Sequence, residues 1–428
     1  MTENFTELGA APSFVRRLED RKIRTATDIQ RKVIPLLASG ESVFFSSATG
    51  TGKTFAYLLP LLGQLSGDTP SQEKGAVCPQ FLIMAPTLEL CSQIKDELDF
   101  LLAPAAVSAN GETENPQMPF RACLLIGSVN LDRQIETLKK SGSTVIVGNP
   151  SRLLVLAKMG KLKFGRLRCL VLDEADRLVS DEMSGETGEL CEIIRRDLRS
   201  CNGLTIAACS ATMNKKNREK LLSFAIFRGD KNTGVSRNIA YIESEDNEIL
   251  RERIEHWAIF SEKRRKVQTL RSLLAAIKAK KSRVKALIFT SRGDEAETIL
   301  SRLQYHHVKA AGLFGKAGKK ALTGSARKEA LDAFRCGSVD ALVSTDLAAR
   351  GLDISGITHV IALDVPSDGE VYIHRCGRTA RAGKRGVMIT IGDETQMRLL
   401  ALLEKKLKIR INPKELYEGR VCVPPPIT

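Results

Sequence analysis

The chain has 428 residues, of which 43% are hydrophobic and 27% charged, a balance that suits a soluble globular protein and excludes collagen-like and disordered classes. That length suggests two domains of about 200 residues each. The formal net charge of +15 suits a polyanionic partner or an anionic membrane surface, and equally an excess of solvated lysines; charge alone does not separate these. No stretch approaches the roughly 18 consecutive apolar residues of a membrane span. The opening Met1-Thr2-Glu3-Asn4-Phe5, with Glu3 and Glu7, reads as neither a secretory leader nor a transit peptide. The ten cysteines form no C-x-x-C pair, and most sit in or beside apolar runs. They read as small core residues in a reducing compartment, so a cytoplasmic protein without metal-ligating cysteine or histidine clusters is expected.

Short apolar runs rich in β-branched residues alternate with helical patterns along the chain. The first half has Val43–Ser46, Phe81–Ala85, Ala122–Ile126, Thr144–Val147, Cys169–Leu172 and Leu204–Ala208. The polar stretches Ser66–Gln80 and Ser108–Pro119 between them read as surface loops. The second half repeats the style with Lys285–Phe289, Ala341–Ser344, His359–Leu363 and Gly386–Ile391. Continuous apolar runs separated by helices imply parallel strands covered on both faces, and the pattern occurs twice. The expected organisation is therefore a first α/β domain over 1–242, a polar linker over 243–252, a second α/β domain over 253–410 and a short tail over 411–428. Leu399–Ile409 reads as a closing amphipathic helix, and Val423-Pro424-Pro425-Pro426 as a frayed end.

Three motifs carry chemistry. Ala48-Thr49-Gly50-Thr51-Gly52-Lys53-Thr54 lies between the first strand and a helical pattern, the context of a phosphate-binding loop. Gly50 and Gly52 let backbone N–H groups close round phosphates, and the following helix N-terminus adds favourable dipole charge. Lys53 suits the β- and γ-phosphates, and the Thr54 hydroxyl suits Mg²⁺. The strand Leu170-Val171-Leu172 runs directly into Asp173-Glu174-Ala175-Asp176. Carboxylates at the C-terminal end of a parallel strand face the crevice where such sheets bind ligands. Asp173 suits Mg²⁺ held through water, and Glu174 suits the orientation and deprotonation of an attacking water. The third motif, His374-Arg375-Cys376-Gly377-Arg378-Thr379-Ala380-Arg381, is either a solvated basic loop or a pair of arginine fingers for charge developing on a γ-phosphate.

Together with Ser210-Ala211-Thr212, Leu287-Ile288-Phe289-Thr290, Ser344-Thr345-Asp346-Leu347-Ala348-Ala349-Arg350-Gly351-Leu352-Asp353, and Arg327 followed by Leu331, Phe334 and Gly337, these motifs stand in the order of a known family. The chain resembles the DEAD-box RNA helicases of superfamily 2, from Phe5 to about Asp393. The resemblance implies two tandem RecA-like α/β domains, each a mostly parallel sheet with helices on both faces. It also implies ATP and Mg²⁺ as cofactors. Gln30 is similar to the family's adenine-reading glutamine, with Phe5 and Ile23 beside the base. Asp353 is similar to its ribose contact, and Arg378 and Arg381 to its fingers. Asp176, Ser210, Thr212 and His374 resemble the elements that couple nucleotide state to closure on RNA. Pro86, Thr87, Gly127, Ser128, Asn149, Pro150 and Arg152 in the first domain match RNA-contact positions. So do Thr290, Gly315, Arg327, Thr345 and Asp346 in the second. RNA gripped through its backbone without sequence readout is the implied partner, which fits the positive charge. Ribosomal or other ribonucleoprotein components are further candidate partners, and a monomer is expected.

The sequence departs from the family pattern at several places. Lys22-Ile23 replaces the usual glycine–aromatic pair, and Ala26 the usual proline. Leu88 stands for arginine, Gly127-Ser128 for a glycine pair, and Asn149-Pro150-Ser151-Arg152 for Thr-Pro-Gly-Arg. The expected function is an RNA-stimulated ATPase that opens short duplexes or remodels RNA–protein complexes. An ATP-gated RNA clamp with slow turnover is the alternative.

Overall fold

The computed structural model describes residues 4–47, 50–65, 72–73, 75–103, 120–198, 203–211, 213–227, 239–243, 252–280, 284–314, 324–349, 354, 356–366, 368–380 and 384–425. The chain divides into two compact units, with the change at Ser244–Glu245. No helix among the described residues is long and apolar enough to cross a membrane.

The first unit opens with α1 (Pro12–Asp20) and α2 (Asp28–Ala38), then enters β1 (Ser42–Ser46) and α3 (Lys53–Gly63). A small hairpin of β2 (Gln72–Glu73) and β3 (Ala76–Val77) precedes β4 (Phe81–Met84) and α4 (Leu88–Leu102). Next come β5 (Ala122–Leu125), α5 (Leu131–Ser141), β6 (Val145–Gly148) and α6 (Pro150–Lys158). The unit closes with β7 (Cys169–Asp173), α7 (Ala175–Leu178), α8 (Ser184–Asp197), β8 (Thr205–Ser210), α9 (Lys215–Ser223) and β9 (Ile239–Glu243). Seven strands make one sheet in the order β5-β6-β4-β7-β8-β1-β9, every pair parallel.

Alternate residues of each strand enter opposite cores. Val43 and Phe45 pack with Tyr57, Leu58 and Ile83 on one face, whereas Phe44 packs with Leu82, Leu170 and Ile206 on the other. Burial on both faces is why these strands read as unbroken apolar runs without alternation. Local chemistry fixes the helix ends. Thr87 accepts from the Leu90 amide at the start of α4, Asn130 caps α5, and Gly142 ends α5 at φ 52°.

The second unit runs β10 (Ile254–Phe260), α10 (Lys266–Lys280), β11 (Ala286–Thr290), α11 (Gly293–Tyr305), β12 (Ala310–Leu313) and α12 (Gly324–Cys336). It continues through β13 (Ala341–Thr345), α13 (Asp346–Ala349), β14 (His359–Ala362), α14 (Gly369–Cys376), β15 (Gly386–Gly392) and α15 (Glu394–Leu407). It ends on β16 (Ile411–Tyr417) and β17 (Arg420–Cys422). The sheet order is β12-β13-β11-β14-β15-β10-β16-β17, parallel except for the last pair.

The expected strands all form, and the structure adds others. β10 hides from an apolar-run criterion because Glu255 and His256 interrupt it. His256 is nonetheless 2% exposed, its Nδ1 2.9 Å from the Tyr372 hydroxyl. β9 and β12 are short sheet-edge strands, with one partner each. The expected tail over 411–428 needs correction. Residues 411–417 pair in parallel with β10, His256 against Ile411, and β17 folds back upon them. β16 is held between β10 and β17 near the end of the sheet, and its residues are half-buried or exposed, so Ile-Asn-Pro-Lys-Glu-Leu-Tyr needs no apolar run to belong to the sheet. Most of the expected linker, 244–251, lies outside the described residues, as does the loop call on 108–119; Glu243 ends β9.

Candidate functional site

Strand order sorts the first unit's motifs along the C-terminal edge of its sheet. The neighbours β1, β8 and β7 carry the phosphate-loop, Ser210 and Asp173–Glu174 segments. The other neighbours, β4, β6 and β5, carry Pro86–Thr87, Asn149–Arg152 and Gly127–Ser128. Two groups of loops thus share one rim of one sheet, the arrangement by which open α/β sheets bind ligands.

In the phosphate loop Gly50 and Gly52 take φ 84° and 89°, left-handed values that side chains disfavour. Ala48 and Thr49 lie outside the described residues. Lys53 opens α3 and donates from Nζ to the Ser47 carbonyl at 2.6 Å, and the Ser47 hydroxyl donates to Thr51 Oγ1 at 2.5 Å. The Ser47 amide donates to the Ser210 carbonyl at 3.1 Å, tying the loop to the end of β8. Gln30 is 2% exposed. Its Oε1 accepts from the Thr27 amide at 2.9 Å, and its Nε2 donates to the Gly52 carbonyl at 3.0 Å. The amide thereby braces the phosphate loop.

Asp173 is 4% exposed at the end of β7 and accepts three hydrogen bonds. The Tyr57 hydroxyl donates to Oδ2 at 2.9 Å, while the Cys209 thiol at 3.1 Å and the Glu174 amide at 2.8 Å donate to Oδ1. Thr54 lies in the first turn of α3, three residues before Tyr57. Burial first, and the Asp173 carboxylate second, push the Tyr57 hydroxyl and the Cys209 thiol well above their ordinary pKa values, so both stay protonated donors. Glu174, 8% exposed, sits at φ 48°, a strained backbone for a residue with a side chain, and Asp176 follows it on α7. Ser210 is fully buried; Thr212 lies outside the described residues.

The placement of Phe5 differs from the expectation. Phe5 is 1% exposed within the core, packed with residues such as Phe14 and Ile29, so it supports the site instead of lining it. Ile23 is half-buried against the same core. Lys22, where the family pattern has glycine, takes φ 61° and closes α1.

On the other half of the rim, Thr87 caps α4, and Leu88 turns its side chain onto the core instead of presenting a charge. Gly127 and Ser128 are exposed, Pro86 is half-buried, and Pro150 begins α6. Arg152 donates from Nη2 to the carbonyls of Gly127 (3.0 Å) and Val129 (3.1 Å), bracing that turn. Asn149 donates to the Ser151 hydroxyl at 2.6 Å.

In the second unit Thr290 and Thr345 end adjacent strands β11 and β13, and the Thr290 hydroxyl donates to Glu295 at 2.9 Å. Asp346 takes a different part from the one expected. Its two oxygens accept from Arg375 Nε and Nη2 at 2.6 and 2.7 Å, while Arg375 Nη1 donates to Asp364 at 2.6 Å. Arg375 is 2% exposed and lies 5.3 Å from the Phe289 ring centre. Arg375 thereby ties together the loops that follow two strands, β13 and β14. His374 and Arg378, 6% and 4% exposed, stand at the end of α14, with Arg378 Nε donating to the His374 carbonyl. Arg327 lies on α12. Gly315, Asp353 and Arg381 fall outside the described residues.

Sequence reasoning missed Tyr57, Cys209 and the Arg375–Asp364 pair. Tyr57 stands three residues after Thr54, hence on the same helix face, which was a usable signal. Cys209 passed for a core cysteine, which by burial it is.

Residues 27–221 match the family model described as DEAD/DEAH box helicase, and residues 265–383 that of the helicase conserved C-terminal domain. Among curated proteins, the chain is 32% identical over 408 residues to the DEAD-box ATP-dependent RNA helicase CshC of Bacillus cereus, covering 95% of this chain and 92% of that protein. It is 30% identical over 420 residues to the probable ATP-dependent RNA helicase YfmL of Bacillus subtilis, covering 98% of each. Among solved structures, S. cerevisiae Dbp5 bound to RNA and ADP BeF3 aligns with a TM-score of 0.77 at 23% identity, over 96% of this chain and 95% of that one. Mss116p bound to ssRNA and AMP-PNP aligns with a TM-score of 0.80 at 24% identity, over 98% of this chain and 80% of that one. At such identities the structural likeness is one of fold: two tandem RecA-like domains.

Proposed function

This chain belongs to the DEAD-box helicase family, and from that premise we propose that it is an ATP-dependent RNA helicase, coupling RNA-stimulated ATP hydrolysis to local duplex opening or RNP remodelling. The observation that carries the reading is the hydrogen-bonded cluster at the sheet rim. It joins Tyr57, Cys209 and Asp173, one strand from the Ser47–Ser210 tie that anchors the phosphate loop.

In this reading the amides around Gly50 and Gly52, with Lys53, hold the phosphates. Gln30 reads the base and Asp353 the ribose. The hard oxygens of Thr54 and Asp173 fit Mg²⁺, which supplies charge neutralisation at the phosphates. Glu174 accepts the proton of the attacking water, and Arg378 and Arg381 stabilise charge that develops on the γ-phosphate. Pro86, Thr87, Ser128, Asn149, Thr290, Gly315, Arg327 and Thr345 border the RNA backbone. Asp176, Ser210, Thr212 and His374 relay nucleotide state.

The test is ATPase activity with RNA, with DNA of the same sequence, and with neither, alongside release of a short RNA duplex. RNA-selective stimulation with strand release supports the proposal, and equal stimulation by DNA sinks it. The inward packing of Leu88 favours a second reading, an ATP-gated RNA clamp with slow turnover. Stimulation without strand release is its signature.

A further inference from the structure

The carboxylate of Asp173 is held from within the protein by two side chains outside the nucleotide motifs. Asp173 lies level with Cys209 across the β7–β8 ladder, so their side chains share a face of the sheet. Tyr57 reaches the same carboxylate from α3. Tyr57 and Cys209 are both fully buried. Their donors fall on opposite oxygens, Tyr57 on Oδ2 and Cys209 on Oδ1. A carboxylate turns readily about its last torsion, because sp³–sp² rotations have broad minima. Donors on both oxygens remove that freedom. Thr54, read above as the other metal-side group, stands three residues before Tyr57 on the same helix, α3.

Packing alone does not call for either polar atom. Tyr57 lies in an apolar core with Leu58, Leu61 and Ile83, where a phenylalanine ring would fill the same space. A buried hydroxyl is costly unless it is hydrogen-bonded, and the bond of Tyr57 falls on Asp173. We propose that Tyr57 and Cys209 are positioning residues for Mg²⁺: they fix the plane of Asp173, so that the metal and its nucleotide meet a preformed carboxylate. The inference rests on the reading of Asp173 as a metal-side residue. Partners of this kind change metal affinity by about 10- to 100-fold when removed.

The experiment titrates a fluorescent ADP into the full-length protein, once with saturating Mg²⁺ and once with EDTA, and follows affinity against free Mg²⁺. Tyr57→Phe is expected to weaken the Mg²⁺ midpoint about tenfold while leaving metal-free ADP affinity unchanged. Cys209→Ala shifts it in the same direction, and Cys209→Ser, which keeps a donor, restores it. An equal loss with and without Mg²⁺ in Tyr57→Phe overturns the proposal, since it signals disturbed packing of α3. Asp173→Asn is the control for the underlying reading. If it loses Mg²⁺ dependence while Tyr57→Phe and Cys209→Ala keep it, the positioning role is wrong and Asp173 stands. If Asp173→Asn itself keeps Mg²⁺ dependence, the metal-side assignment fails, and the inference with it.

Discussion

Lys22 occupies a backbone conformation that the family pattern reserves for glycine, and the consequence is measurable. It follows the last residues of α1 with φ 61°, its amide donating to Glu19 at 2.8 Å and the Ile23 amide to Leu18 at 2.9 Å. This is a left-handed helix stop, where a Cβ costs about 1–2 kcal/mol. Lys22→Gly removes that strain and, in the other direction, loosens the unfolded chain by about 0.4–1 kcal/mol. The net expectation is a gain of about 1 kcal/mol, because the Lys22 side chain is exposed and gives up little contact. The surroundings are firm enough to transmit the gain. Arg17 donates to the Phe100 carbonyl, and the Arg21 guanidinium sits 3.5 Å from the Phe100 ring centre, so α1 is already docked on α4. Hydrogen–deuterium exchange of the α1 amides reads local opening directly, and about 1 kcal/mol slows it roughly fivefold. Exchange that is unchanged or faster would refute the strain argument, and would mean that the lysine stem contributes more there than its exposure implies.

Glu174→Gln should lower RNA-stimulated turnover by at least about 100-fold with ADP affinity intact, because it removes a proton acceptor and leaves the phosphate cradle; single-turnover and binding assays check both halves. Gly52→Ala should cost most nucleotide affinity: an added Cβ at φ 89° would lie 2.4 Å from Gln30 Nε2, and calorimetric ADP titration tests it. Leu88→Arg should tighten RNA binding and steepen its log–log salt dependence by about one unit at most, measured by anisotropy across a salt series. Arg375→Met should destabilise the second unit by about 3 kcal/mol, the lower end for breaking a buried pair, since Asp346 keeps a side-chain exposure of 25%. Arg375→Lys should not restore it, because an ammonium cannot fork between the two carboxylates; urea unfolding compares all three proteins.

The sequence by itself determined the fold class and the identity of the nucleotide motifs. Unbroken apolar runs such as Cys169–Leu172 are legible because a parallel strand is buried on both faces, and Gly50 and Gly52 are legible because their φ values need glycine. Strands whose polar atoms are satisfied internally, like β10 with its buried His256, escape such a reading, and so does β16, which sits near the end of the sheet and buries neither face fully. What only the tertiary structure decided is which side chains act on which. Tyr57 and Cys209 lie 116 and 36 residues from Asp173, and Arg375 lies 29 residues from Asp346. Periodicity reports which way a side chain faces along its own helix or strand. The partner it meets there is set by strand order and register, and those exist only once the sheet has formed.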